Sequence, residues 1–576
     1  MQGTETGNRD EHRQSKSRRC IRYKGRIYAN EGARLARMMG TMRFVERWAA
    51  ALLLGVLCLP AGAQNHHRKG PATPLKVRIA RLLANPAVTR SHWGIDVARM
   101  DGTGDRGRIY SLHAGQFFQP ASNAKLFTTT AAVALLGTKA TVMTRVMAAA
   151  LPDKDGVLAG DLALVGAGDA NLSGRTIPYL PPALRPVPAS PENAPLRYLE
   201  EMADQIAKTG LKVVQGDVIG DDTLFPWQPY PEDWAIDDAV WGYGAPVSAL
   251  TINDNQIKVT VTPGSAAGAP ATVVFDPAVP YYTVDAYGLT TGAAKSGSHV
   301  QMERLPGSKL LRIYGTIAVD APPDQEQVAI EDPAEYAALA LKGMLEARGI
   351  QVTGTARARH RLSVDTASFI AESHAPLTLT TAGKSEAQVC VSLCAALAAH
   401  LSPALIDDVV VTNKVSQNLH AELLLRRLGR IFGDDGSAAQ GARVVRQFLL
   451  DAGVDKDDFF FFDGSGLSGH DLVTPRAVVR LLRYAGTQPW FADWKTSLPV
   501  GGEDGTLAGR FVKPPLKGRV FAKTGTLGEA RALSGYLRCA SGRTVAFSIM
   551  VDNHAPRSHA DATVMDRIVA AIAATN

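Results

Sequence analysis

Cysteine is scarce in this chain, with five in 576 residues. Cys20 and Cys58 precede residue 63, which leaves Cys390, Cys394 and Cys539 beyond it. An odd number provides no disulfide framework, and no spacing of Cys or His resembles a zinc site, so no metal and no cofactor are expected. Cys390 and Cys394, four residues apart, read as small apolar residues that an oxidising compartment could bridge. Long apolar runs are also lacking: Ala49 to Leu59 is too short to span a membrane. Arg43 and Arg47 precede that run and Ala61-Gly62-Ala63 follows it, the layout of a secretory signal peptide cleaved after Ala63. Cys58, with Leu57 before it, fits ordinary cleavage better than acylation. The mature chain is therefore expected in the periplasm or cell envelope, without a transmembrane helix. Met39 and Met42 are alternative starts, which would make residues 1–38 a start-site artefact or a disordered extension.

A surplus of charge is missing as well. The whole chain carries +7, but residues 1–63 alone hold 12 Lys and Arg against 5 Asp and Glu, so the remainder is neutral. That removes the electrostatic basis for binding nucleic acid or an anionic membrane. The 46% hydrophobic and 20% charged composition is that of an ordinary soluble protein, and its length calls for more than one domain.

What the chain does have begins at Gln119-Pro120-Ala121-Ser122-Asn123-Ala124-Lys125. The small and apolar residues that run on to Gly137 read as a buried helix, with Ser122 at its N-terminus. Lys125 stands three residues on, so its amine can lie beside the Ser122 hydroxyl while first-turn N–H groups face any developing negative charge. A nucleophile with a base in reach is the minimum for acyl transfer. Two further stretches stand downstream, Lys414-Val415-Ser416-Gln417-Asn418 and Ala522-Lys523-Thr524-Gly525-Thr526. Alone, Ser416 and Asn418 would be capping residues and Lys523 an exposed strand edge. Their order after Ser-x-x-Lys changes that assessment.

Along the chain, Ser91–Ala98 and Arg108–Phe118 read as a hairpin that delivers the Ser122 helix. Residues 146–375 turn to short strands broken by Gly, Pro and Asp, with a Pro-rich loop at Ile177–Pro191 and helical spacing at Pro333–Ala347. Helices return from about residue 375: Pro403–Lys414, Leu419–Phe432, Ala438–Ala452 and Pro475–Ala485. Strands at Arg519–Gly525, Arg531–Arg538 and Thr544–Asp552 and a helix at Ala560–Ala573 close the chain. The expected organisation is an extension and signal segment at 1–63, a catalytic part at 74–145, a β-rich insertion of one or two subdomains at 146–375, and a second catalytic part at 376–576.

The ordered set Ser-x-x-Lys, Ser-x-Asn and Lys-Thr-Gly is that of penicillin-binding proteins and class A β-lactamases. With Gly220-Asp221-Asp222-Thr223, Gly244-Ala245-Pro246-Val247-Ser248, Asp463-Gly464-Ser465-Gly466-Leu467-Ser468 and Asp504-Gly505-Thr506-Leu507, the chain resembles the class C low-molecular-mass penicillin-binding proteins, the D-alanyl-D-alanine carboxypeptidase/endopeptidase family, from about residue 75 to its end. The resemblance implies an α/β fold, a catalytic domain of β-lactamase type built from an antiparallel sheet and a helical region, with a large insertion between the first and second motifs. It implies a serine peptidase cleaving the D-Ala-D-Ala terminus of peptidoglycan stem peptides, and cross-links as an endopeptidase, with β-lactam antibiotics as inhibitors. Ser122 would be the nucleophile, Lys125 the base with its pKa depressed by burial and by Lys523, and Ser416 the proton relay. Asn418 would hold the substrate amide or Lys125. Lys523, Thr524 and Thr526 would take the terminal carboxylate, and Ser122 and Thr526 N–H groups the oxyanion, with Gly525 between them.

Asp238, after Trp234, looks like the acidic residue that in some relatives meets the side-chain amine of the peptide's third, diamino-acid residue. Gln417 departs from the Asp of β-lactamases and is expected to point away from the cleft, and Asp463-Gly464-Ser465-Gly466 fits a structural loop beside it. The competing assignments are a β-lactamase or D-amino-acid esterase/amidase of the same fold, and a non-catalytic cell-wall binding protein.

Overall fold

The computed structural model describes residues 73–101, 107–185, 193–380 and 395–576. The signal segment, Cys20, Cys58, Cys390 and Cys394 lie outside them. The two ends of the described chain build one antiparallel sheet, in the order Arg108–Leu112, His92–Arg99, Thr544–Asp552, Ala530–Arg538, Val520–Leu527. His92–Arg99 pairs with Thr544–Asp552, Ile95 opposite Ile549, so the N-terminal hairpin is stitched to the C-terminal meander. Side chains alternate along a strand, and here both faces are covered. Ile95, Val97, Leu533, Phe547 and Ile549 face a core with Ile79 of the Leu75–Leu83 helix and Val564 and Ile568 of the Ala560–Thr575 helix. Ala98, Ala532, Tyr536, Ala546 and Met550 face the opposite core with Val478 and Leu482 of the Pro475–Ala485 helix. Two polar contacts are buried there: the Ser534 and Ser548 hydroxyls lie 2.9 Å apart, and the Tyr536 hydroxyl donates to the Leu482 carbonyl at 2.7 Å.

The second core continues into the helical region. Leu126 and Phe127 of the Ala124–Leu136 helix pack with Val409 of Leu405–Lys414, Leu424 and Leu428 of Asn418–Phe432 and Val444 and Phe448 of Ala438–Asp451. The serine helix is thus surrounded, and its burial all round explains why it reads as a nearly uninterrupted apolar and small-residue run.

The inserted region has its own five-stranded sheet, in the order Ala356–Arg361, Val218–Pro226, Leu162–Val165, Met143–Ala148, Ala395–Leu401. The helices Arg197–Lys208 and Pro333–Ala347 share its core, through Leu199, Met202, Ile206, Tyr336 and Leu341. A smaller β unit within residues 256–329 has a separate core built on Val259, Val261, Leu311, Ile313 and Val328. The sheet reaches beyond the boundaries expected at 146 and 375, because Ala395–Leu401 is a strand paired antiparallel with Met143–Ala148. Its Ala- and Leu-rich sequence favours a helix, but strand pairing and burial of Leu397 and Ala398 in the inserted core override that preference.

Insertion and helical region meet at a buried ionic seam. The His420 ring, fully buried, sits 2.6 Å from an Asp408 carboxylate oxygen and 3.2 Å from one of Asp254, which belongs to the insertion. Arg175 and the Gln417 amide also donate to Asp254. Gln417 therefore points away from the cleft, as expected, and into the insertion. Burial alone would lower the His420 pKa, but Asp408 and Asp254 lift it to about 9. Burial alone would raise Asp254, yet Arg175 and His420 hold it well below the ordinary carboxylate range. A histidine charged in the folded state stabilises the fold fully below its ordinary pKa of 6.5 and loses that contribution as pH rises through about 9. Replacing His420 by Ala leaves two buried carboxylates without their shared cation and is expected to cost about 3–5 kcal/mol of stability at neutral pH. Chemical unfolding of both chains checks this, with the gap between them narrowing from about pH 6.5 and levelling above about pH 9.

Candidate active site

Three segments converge on Ser122. Ala121–Asn123 forms a single 3-10 turn leading directly into the Ala124–Leu136 helix, with Ala121 in the left-handed region at φ 45°. Val520–Leu527 lies at the sheet edge against this turn. The Asn123 amide donates to the Lys523 carbonyl at 3.2 Å, and Gly525 packs so closely that a Cβ there would stand 2.6 Å from the Pro120 carbonyl oxygen. A glycine between Thr524 and Thr526 is thus a requirement of the strand's approach to the backbone of the Ser122 turn. The third segment is the loop between Leu405–Lys414 and Asn418–Phe432, where Ser416 adopts φ 66°.

Ser122, Ser416, Asn418, Thr524 and Thr526 are each partly accessible, while both lysines beneath them are completely buried. The Lys125 amine lies 3.0 Å from the Ser122 hydroxyl, 2.6 Å from the Asn418 side-chain oxygen and 2.7 Å from the Ser465 carbonyl. The Lys523 amine donates to the Ser416 hydroxyl at 2.8 Å and to the Thr524 carbonyl at 2.8 Å. Burial lowers the Lys125 pKa from 10.5 to about 8, against the opposing pull of Asp463, Glu422 and Asp471. At neutral pH about one Lys125 in ten is then an uncharged amine, against about one in three thousand for an ordinary lysine. Burial, and then repulsion from Lys125, hold Lys523 well below its ordinary value. Desolvation is thus the main influence on Lys125, and the repulsion expected between the two lysines falls on Lys523.

The surroundings of Lys125 include groups that side-chain motifs do not reveal. Asn418 was open to two uses, and its carboxamide spans Lys125 on one side and the Tyr243 carbonyl on the other, at 2.9 Å. The Ser465 carbonyl is aimed by the Asp463 carboxylate, which accepts the N–H groups of Ser465, Gly466, Leu467 and Ser468 at 2.6 to 3.0 Å. Gly466, at φ 80°, lies against the Ala121 carbonyl, where a side chain would collide. The expected structural loop therefore touches the site through a peptide oxygen. The string Asp-Gly-Ser-Gly marks a tight turn in sequence, but which of its carbonyls turns inward is a property of the folded backbone.

The second motif is braced from below. The Lys414 amine meets Asp504 at 2.6 Å, and Thr506, two residues on, places its hydroxyl 2.8 Å from that of Thr524. Asp238 is partly exposed, and its carboxylate accepts the Tyr243 hydroxyl at 2.7 Å. Tyr243 thus links Asp238 to Asn418, and through Asn418 to Lys125. Among the described residues no group of three or more His, Cys, Asp or Glu side chains is arranged to hold a metal ion, and no helix is long and apolar enough to cross a membrane.

Comparison with known proteins identifies the family. The family model Peptidase_S13, described as the D-Ala-D-Ala carboxypeptidase 3 (S13) family, matches residues 75–378 and 378–575. The chain is 33% identical over 493 residues to the D-alanyl-D-alanine carboxypeptidase of Actinomadura sp. (strain R39), covering 84% of this chain and 81% of that one. It is 25% identical over 363 residues to D-alanyl-D-alanine carboxypeptidase DacB of Haemophilus influenzae, covering 62% and 69%. The crystal structure of penicillin binding protein 4 (dacB) from Haemophilus influenzae shares the fold, with a TM-score of 0.69 at 21% identity over 85% of this chain and 97% of that one. The chain belongs to the D-Ala-D-Ala carboxypeptidase 3 (S13) family and is a serine DD-peptidase of the carboxypeptidase type.

Proposed function

We propose that Ser122 is the nucleophile and Lys125 its base, in an enzyme that trims D-alanine from peptidoglycan stem peptides and opens D-Ala–diamino-acid cross-links by the same acyl transfer. The observation that carries this reading is the amine of Lys125. It is wholly buried, with two carbonyl oxygens for its two N–H groups when neutral and a serine hydroxyl facing its lone pair. The Ser122 oxygen attacks the carbonyl carbon of the penultimate D-alanine as its proton passes to Lys125. The negative charge that forms on the carbonyl oxygen is taken by the N–H groups of Ser122 and Thr526, brought together by the close approach at Gly525. As the C–N bond breaks, the proton travels from Lys125 through the Ser416 hydroxyl to the nitrogen of the departing D-alanine. Water then hydrolyses the Ser122 ester.

Lys523, Thr524 and Thr526 receive the substrate's terminal carboxylate, where a cation beneath two partly exposed hydroxyls suits an anion. Asn418 acts chiefly by holding Lys125. Asp238 receives the side-chain amine of the third peptide residue. β-Lactams acylate Ser122 in place of substrate, in line with the complex of the Haemophilus influenzae penicillin binding protein 4 with a novel beta-lactam. Export to the cell envelope follows from the signal-peptide layout and from the location of the substrate.

Brief exposure of the purified chain to benzylpenicillin should give an adduct of the drug's mass in intact-protein mass spectrometry, absent from Ser122→Ala. An intact drug with no adduct on the folded wild type would sink the proposal. The acylation rate should rise with pH through about 8 and then level, because the reactive form of Lys125 is the neutral one. Lys125→Ala should slow acylation by about 10²- to 10⁴-fold in stopped-flow measurements. Asp238→Asn should raise KM for peptides with a free amine on the third residue and leave KM unchanged when that amine is acetylated.

A further inference from the structure

Beneath Lys125 lie three carboxyl groups to which the acyl-transfer roles give no part: Asp463, Asp471 and Glu422, exposed by 1%, 0% and 0%. Asp463 is surrounded by donors. Besides the four loop N–H groups, its carboxylate accepts the Ser465 hydroxyl at 3.1 Å and the Trp234 indole N–H, from the insertion, at 2.9 Å. Six donors around one carboxylate are the surroundings of an anion. Asp471 is the opposite case. Its Oδ1 accepts the Phe462 N–H at 2.7 Å, while its buried Oδ2 accepts nothing. Asp471 closes the same turn, its N–H donating to the Ser468 carbonyl at 3.4 Å while the Ser468 N–H donates to Asp463, and the Asp463 carboxylate acts directly on the Asp471 carboxyl. Two carboxyl groups bond to each other only through a proton, and Asp463, already ringed by donors, is not the one that carries it.

We propose that Asp471 is a positioning residue for Lys125 that works as a neutral acid: its Oδ2–H donates to Asp463 and completes the turn whose Ser465 carbonyl holds the lysine amine. The proton has a second effect. Burial and the neighbouring Asp463 charge keep Asp471 well above the ordinary carboxylate range, and burial lifts Glu422 to about 8, so at neutral pH Lys125 faces one carboxylate rather than three. Three full charges would hold the lysine as an ammonium ion and leave little neutral base. The titratable groups acting on Asp471 are Asp463 on its own loop, Glu422 on the Asn418–Phe432 helix and Lys125 on the serine helix. Arg426 lies one turn beyond Glu422, Lys523 lies on the far side of Lys125, and His470 turns outward towards Asp233.

The inference rests on Lys125 being the base, and the test separates the two. Asp471→Asn keeps the acceptor for Phe462 and replaces the O–H donor with an N–H. Its acylation rate with benzylpenicillin should stay within about twofold of wild type, with the pH at which the rate levels unmoved. Asp471→Ala removes donor and acceptor without changing the charge, so its maximal rate should fall about tenfold or more at an unmoved midpoint. Infrared difference spectra between wild type and Asp471→Asn at neutral pH should contain the carbonyl band of a protonated carboxylic acid. That arm reads the proton whether or not Lys125 is the base. Absence of the band overturns the proposal, as does a midpoint displaced to lower pH by about one unit in Asp471→Asn, the result expected when a negative charge has been removed. An Asp471→Asn chain that fails to fold also overturns it, because an amide donor would then not replace the acid.

Discussion

Two lysines placed out of contact with water are the constraint from which the rest of the site follows. An ammonium group is poorly solvated in a protein interior, and two of them close together oppose each other's charge. The fold meets that cost by surrounding each amine with oxygen: a serine hydroxyl, a carboxamide and a peptide carbonyl around Lys125, a serine hydroxyl and a peptide carbonyl around Lys523. Each lysine therefore has a serine above it that reaches the cleft. A serine hydroxyl is thereby set beside an amine that is partly neutral at physiological pH, as the proposed acyl transfer requires, and a second buried amine lies beneath Ser416.

Those oxygens come from elements far apart in the chain, and this gives the insertion a part in the chemistry. Tyr243 supplies the carbonyl that turns the Asn418 carboxamide, and Trp234 supplies a donor to the carboxylate behind Ser465. Asp254 anchors the Asn418–Phe432 helix two residues after Asn418, through His420. The region that follows the first motif therefore acts on two of the three partners of the Lys125 amine, Asn418 and Ser465. Because Asp238 bonds to Tyr243, the surface proposed to meet the peptide's third residue is one hydrogen bond away from this support.

Much of this was legible from residue order. Ser122 and Lys125 three apart on a helix, Ser416 in a tight inter-helix loop and Lys523 on a C-terminal meander all stand where periodicity and turn residues put them, because these are local properties of the chain. The Pro333–Ala347 and Pro475–Ala485 helices begin at a proline after a capping Asp332 or Thr474, a start signal contained in a few residues. Ala395–Leu401, beyond the boundary expected at 375, joins the inserted sheet for the complementary reason: its local preference is helical, and a partner strand some 250 residues earlier decides otherwise.

By itself, then, the sequence determined the chemistry available: which hydroxyls and amines stand in three motifs, and in what order those motifs occur. Tertiary structure alone decided how strongly those groups are tuned. The burial of Lys125, the inward turn of the Ser465 carbonyl, the proton held between Asp471 and Asp463, and the joining of insertion to helices at His420 depend on solvent exclusion and backbone direction. Both are set by contacts between residues hundreds of positions apart, and neither is carried by any one residue's identity.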